Sequence, residues 1–249
     1  HRDARPLGPL MAGMDVGGFA AALPYLRRQT ARALDARAMT GEWLTPELEL
    51  GCASGCWLHR AADASPRPVV FELHGGGFAL GDARKGDALR AWVRDTFDVN
   101  VVGIEYRLAP EHPFPAALND VAGTVRRIVT GGEIEVDPAH AVLMGYSAGA
   151  NLAVAYALLS QRDDSAPLVS GLALHYPCLD VAERFDPNSV RACDLPVDKM
   201  AAFSAMYAGE RDEADPLMSP VYAGDGELAA LPPTVFCPVE GDALLPQAE

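Results

Sequence analysis

The chain reads as an α/β domain on a mostly parallel sheet with helices on both faces. Three observations predict this. Short apolar runs alternate with longer stretches of helical spacing. Runs such as 69–73 and 99–105 are apolar almost throughout rather than alternating, as strands covered on both faces are. A Gly-x-Ser-x-Gly turn, from Gly145 to Gly149, joins one such run to a helical pattern.

In order, residues 1–46 form an Ala- and Arg-rich arm, or part of a cap. Within it, 19–39 has helical spacing, with Leu23, Leu26, Thr30, Ala33 and Leu34 on one face and arginines elsewhere. The stretches 47–50 and 56–59 read as two short strands about a Ser54-Gly55 turn. Residues 69–73 form a strand that runs into His74-Gly75-Gly76-Gly77-Phe78. A helix over 87–97 and a buried strand over 99–105 follow. The next helix, 115–130, opens on a proline and closes on Gly131-Gly132. Residues 141–144 make the strand that feeds the serine turn, and 151–161 continue the helix after it. A strand follows at 171–175. The stretch 176–230 is rich in Asp, Pro, Met and Ala, with one helical segment near 197–207. Its 180–230 portion reads as a cap-like excursion beside the sheet. A last strand covers 233–239. No linker divides the chain, so 47–249 is one domain.

Size and charge bound the function. The 249 residues are 49 % hydrophobic, enough for a sizeable core. Thirty-four acids against 20 bases give a net charge of −14, which disfavours nucleic acid and anionic membrane surfaces as partners. The five cysteines (Cys52, Cys56, Cys178, Cys193 and Cys237) are irregularly spaced, so they suggest neither a disulfide framework nor a zinc site. Their pattern suits a reducing compartment. The N-terminal stretch lacks the pattern of a signal peptide, and no apolar run reaches membrane-spanning length. The expected setting is cytoplasmic, without stable membrane insertion.

In a parallel sheet, sites gather at the carboxyl ends of the strands. His74-Gly75-Gly76-Gly77, Ser147, His175 and Asp242 all follow or end expected strands. Glycine at both Gly145 and Gly149 lets a strand turn sharply into a helix and lifts the Ser147 hydroxyl above the sheet edge. The glycine run after 69–73 offers backbone N–H groups free to stabilise an oxyanion. Together these features suit acyl transfer through a serine nucleophile.

The motifs His74-Gly75-Gly76-Gly77-Phe78, the run from Tyr106-Arg107-Leu108-Ala109-Pro110-Glu111-His112 to Asp120, and Gly145-Tyr146-Ser147-Ala148-Gly149 resemble the hormone-sensitive-lipase-like group of α/β-hydrolase esterases. Asp215-Pro216-Leu217-Met218-Ser219-Pro220 and Leu231-Pro232-Pro233-Thr234 fit the same pattern. The resemblance covers about residues 66–245. It implies an α/β-hydrolase fold with a small cap. It assigns Ser147 as nucleophile, Asp242 as triad acid, and the N–H groups of Gly76, Gly77 and Ala148 as the oxyanion hole. It implies hydrolysis of a short- or medium-chain acyl ester, a small-molecule partner, and no metal or organic cofactor. A homodimer is compatible with it. The 106–120 run reads as a structural brace, with Arg107 and Asp120 able to pair.

Two departures stand out. Tyr146 occupies a position where this family commonly has Asp. And the triad order Ser, Asp, His finds no histidine after Asp242. All six histidines lie earlier: His1, His59, His74, His112, His140 and His175. His59 reads as a surface residue, His140 as lying at the far end of the nucleophile strand. Only His175 stands at a strand's carboxyl end. The expectation is therefore that a further strand, a histidine-bearing loop and a final helix follow Glu249. A strand near Val235 left as an uncovered apolar edge points the same way. The competing reading is a non-catalytic small-molecule-binding protein on the same fold.

Overall fold

The computed structural model describes residues 14–44, 55–62, 65–132, 134–183, 197–240 and 242–247. The expected strand at 47–50 and its turn residue Ser54 lie outside them, as do 184–196 of the excursion. Seven strands form one sheet: β1 (Glu42–Leu44), β2 (Cys56–His59), β3 (Arg67–Leu73), β4 (Asn100–Ile104), β5 (Val136–Tyr146), β6 (Gly171–His175) and β7 (Thr234–Cys237). Their order is β1-β2-β4-β3-β5-β6-β7. β1 with β2 and β2 with β4 are antiparallel; the remaining pairs are parallel. The short strand β1, within what the sequence suggested was an arm, is new.

The pleat explains why the strands are apolar throughout. Val69, Phe71 and Leu73 point into the main core with Val102 and Ile104. Val70 and Val101 point to the opposite face, where Val93 of helix α2 (Asp87–Phe97) covers them. Helices α3 (Ala116–Gly131) and α4 (Ala148–Arg162) pack on the main-core face. Gly132, left-handed at φ 78°, ends α3 where the sequence places its stop. Helix α4 is buried nearly all round, which is why its apolar residues show little periodicity.

Helix α1 (Val16–Asp35) starts before its expected range and ends before it. Asp15 caps it by accepting from the Gly18 N–H at 2.7 Å. Phe19, Leu23, Leu26 and Leu34 are buried as the spacing implies, whereas Ala33 is exposed. From the excursion, helix α5 (Val197–Ala208) packs against α1 through Phe203, edge-on to Phe19 at 5.1 Å. Helix α6 (Asp225–Ala229) precedes β7. No helix among the described residues is long and apolar enough to cross a membrane.

The brace is built as expected. Arg107 donates from Nε and Nη2 to both oxygens of the fully buried Asp120 at 2.8–3.0 Å, and its backbone N–H adds a third hold at 2.8 Å. His59 corrects the surface expectation. It is fully buried on β2, with Nε2 3.0 Å from Asp87 Oδ1 at the start of α2 and 3.2 Å from the Thr40 hydroxyl, because Thr40, Gly41 and Asp87 pack against the ring. The brevity of β2 gave no sign of that cover.

Candidate active site

Strand order decides where a site can form. β3 lies between β4 and β5; the chain leaves β3 toward β4 on one side and leaves β5 toward β6 on the other, so the loops after β3 and β5 part at their carboxyl ends. Leu73 pairs with Gly145, so the glycine loop and the serine turn emerge side by side. A Cβ placed on Gly75 would stand 3.4 Å from Ser147 Cβ.

The serine turn is tight because backbone meets backbone. A Cβ on Gly149 would lie 2.1 Å from the Leu73 carbonyl oxygen, and one on Gly145 2.4 Å from the Gly149 carbonyl oxygen. Side chains at either position would push strand and helix apart. Ser147 takes φ 53° and ψ −117°, a strained conformation for a residue with a Cβ, at the N-cap of α4. Its N–H donates to the His175 carbonyl at 2.9 Å, and its own carbonyl accepts from Ala150 and Asn151. The backbone is thereby held on both sides of the hydroxyl. The buried Asn151 side chain donates to the Cys178 and Met218 carbonyls at 2.8 Å, tying the first turn of α4 to the segments beside it. Sequence reading missed Asn151; a polar side chain inside an Ala-rich buried helix was its signal.

In the glycine loop, Gly76, Gly77 and Phe78 have φ of 131°, 58° and 59°. The Gly76 carbonyl accepts from both Ala79 (3.2 Å) and Leu80 (2.9 Å). Among the described residues, the N–H groups of Gly76, Gly77 and Ala148 donate to no protein acceptor. Such donors beside a serine hydroxyl can stabilise negative charge on a carbonyl oxygen. His74 lies beneath the loop, buried and stacked on Tyr106 at 4.1 Å, with Nδ1 3.0 Å from the Gly75 carbonyl. Burial lowers its pKa to about 4, so the ring is neutral at pH 7.

Asp242 stands beyond β7, and its negative charge is felt by Tyr176 and Cys178. Its Oδ1 accepts from the Leu244 N–H at 3.0 Å, closing a local turn. Among the described residues no hydrogen bond links Asp242 to Ser147 or to a histidine. His175 comes near through its backbone, while its ring stacks on Tyr146 at 4.6 Å. Burial lowers its pKa. Tyr146, the departure from the family pattern, thus serves as a packing surface, with burial holding its phenol up at about 12. His140 sits exposed within β5, paired with Asp137 at 2.7 Å and remote from the serine turn. The loop that bears Gly76 and Gly77 emerges beside the turn that bears Ser147 and Ala148; Asp242 follows β7 at the same edge and is hydrogen-bonded to Leu244.

A family model described as alpha/beta hydrolase fold matches residues 70–249. Esterase LipI of Mycobacterium tuberculosis is 35 % identical over 193 residues, covering 76 % of this chain and 59 % of that protein. The chain thus spans about three fifths of the length of such curated relatives. A hyperthermophilic esterase from Pyrobaculum calidifontis superposes with a TM-score of 0.77 and 27 % identity, over 97 % of this chain and 80 % of that one. An esterase from the bacterial hormone-sensitive lipase family gives 0.74 and 27 %, over 89 % and 73 %.

Proposed function

Because the chain belongs to the alpha/beta hydrolase fold family, we propose that it is a carboxylic ester hydrolase working through an acyl-serine intermediate on Ser147. One observation carries the reading. Ser147 is held at positive φ between two close-packed glycines, beside a loop whose Gly76 and Gly77 N–H groups have no protein acceptor among the described residues. The names of the similar proteins, esterases among them, support it.

In this reading Ser147 Oγ attacks the ester carbonyl and its proton passes to an imidazole base. The carbonyl oxygen gains charge and takes hydrogen bonds from the Gly76, Gly77 and Ala148 N–H groups. Collapse expels the alcohol, which receives the proton, and leaves the acyl-serine. Water then attacks the acyl carbon through the same steps reversed and frees the acid. Asp242 is the acid that orients the imidazole. The base itself belongs C-terminal to Asp242 in the triad order; His175, with its ring on Tyr146, is poorly aimed for the task. The substrates are short- or medium-chain acyl esters, bounded by α1 and the 180–230 excursion. A cytoplasmic setting goes with this reading, supported by the free thiols of Cys178 and Cys237. A homodimer is compatible with it.

The test is hydrolysis of a p-nitrophenyl acyl ester series by full-length protein and its Ser147→Ala variant. Turnover lost by at least about 10³-fold in the variant, at unchanged Tm, is the expected result. Absence of turnover in the parent protein, or equal turnover in both, would contradict the reading and favour a ligand-binding role.

A further inference from the structure

Arg27 of helix α1 reaches across to the glycine loop. Its Nε donates to the Ala79 carbonyl at 2.8 Å, its Nη2 to the Ala109 carbonyl at 2.5 Å, and its Nη1 to Glu111 Oε2 at 2.9 Å. The first of these bonds begins a continuous chain. The peptide unit whose carbonyl Arg27 holds carries the Leu80 N–H, which donates to the Gly76 carbonyl at 2.9 Å. The peptide unit of that carbonyl carries the Gly77 N–H, which has no protein acceptor among the described residues. The second bond holds the neighbouring segment in place without extending the relay, because the Ala109 carbonyl shares its peptide unit with Pro110, which has no N–H. Ala109, gripped at its carbonyl, donates its own N–H to the Phe78 carbonyl at 2.9 Å, and the peptide unit there carries the Ala79 N–H, which also donates to the Gly76 carbonyl.

Resting on the ester-hydrolase reading, we propose that Arg27 is a positioning residue that aims and polarises the Gly77 N–H toward the oxyanion through this two-peptide relay. A guanidinium donating to a carbonyl makes the N–H on the far side of that peptide a better donor. Hydrogen bonds in series strengthen one another, and charge at the head of the series adds to the effect. The Gly76 carbonyl accepts twice, so the peptide unit it shares with the Gly77 N–H is polarised and fixed in direction. Arg27 touches no reacting atom. Its helix also reaches the loop indirectly, two turns away: Phe19 packs edge-on to Phe203 of α5, and a Cβ on Gly77 would stand 2.4 Å from Phe203 Cγ. The relay therefore exists only while α1 is docked, which makes the oxyanion donor depend on the N-terminal helix.

Kinetics on p-nitrophenyl butyrate with full-length parent, R27M, R27K and E111Q test this. The expected result is a fall in kcat of roughly 10–100-fold in R27M with KM within about threefold, since a misaimed donor costs less than one removed. R27K restores kcat to within about fivefold of the parent by returning a cationic donor to the Ala79 carbonyl. E111Q, which removes the ion pair and leaves both carbonyl bonds, stays within about twofold. A kcat in R27M within twofold of the parent, or an equal fall in E111Q, would overturn the relay and leave a merely structural clamp. If R27M does not fold, R27K is compared with E111Q by the same criterion. If the parent protein hydrolyses no ester, the ester-hydrolase reading has failed instead. Amide hydrogen exchange over residues 76–81 then decides the relay: faster exchange in R27K than in E111Q supports it, and equal exchange overturns it.

Discussion

At Ser147, the proposed nucleophile, a single backbone conformation sets where the hydroxyl stands. Its positive φ is tolerated because the turn is clamped from outside: its N–H by the His175 carbonyl, its neighbours by glycines with no room for a side chain. Gly149→Ala would force a Cβ to within 2.1 Å of the Leu73 carbonyl oxygen, which is backbone and cannot swing aside. The expected outcome is a loss of about 3 kcal/mol or more in urea unfolding, at the upper end of overpacking effects, with ester turnover lost alongside. These residues were legible in the sequence, because a glycine at each side of a serine between strand and helix has few other uses. Arg27 was not. Its role depends on carbonyls of Ala79 and Ala109, far off in the chain, and no local pattern announces which arginine of a basic helix face will point inward.

At the scale of elements, the loop after β3 rests on buried polar groups that the sequence did not mark. Glu105, at the end of β4, accepts from the Ala83 N–H at the start of a 3₁₀ turn (Ala83–Gly86), beside Asp82, Arg84 and Arg90. Burial pushes its carboxyl up to about 7, against about 4.5 in the unfolded chain. Between these values the folded state holds more protons than the unfolded one, so this group makes stability fall as pH rises from 4.5 to 7. His74, lowered to about 4 by burial, acts the opposite way. Between pH 4 and 6.5 the unfolded state binds the extra proton, and stability rises with pH. The two slopes oppose each other over most of the same window. Glu105→Gln keeps an acceptor for Ala83 and removes one slope. Urea midpoints measured from pH 4 to 8 should then climb more steeply up to pH 6.5 than in the parent protein, and exceed it at pH 8; an unchanged profile would refute the assignment. By contrast, the Arg107–Asp120 brace was readable in advance, because both residues belong to one short motif. The burial of His59 was not, since Thr40, Gly41 and Asp87, which pack against it, come from other parts of the chain and form no local pattern with it.

For the whole molecule, strand order does what no single motif can. Placing β3 between β4 and β5 brings the glycine loop to Ser147, and the alternation of apolar runs with helices was enough to foresee a parallel sheet. What the alternation could not give is the arrangement above the sheet, because α1 and α5 meet each other and the loop through tertiary contacts, such as Phe19 with Phe203 and Arg27 with the Ala79 carbonyl. The remaining strand, β7, lies at the edge of the described sheet with Val235 and Phe236 exposed. All of these features converge on one hydroxyl. A fluorophosphonate probe asks directly whether that hydroxyl is the nucleophile, by peptide-resolved mass spectrometry of the full-length protein. Phosphonylation of Ser147 at up to one equivalent per chain, absent in Ser147→Ala, is the expected result; no adduct, or an adduct on another residue with Ser147 unmodified, would contradict it.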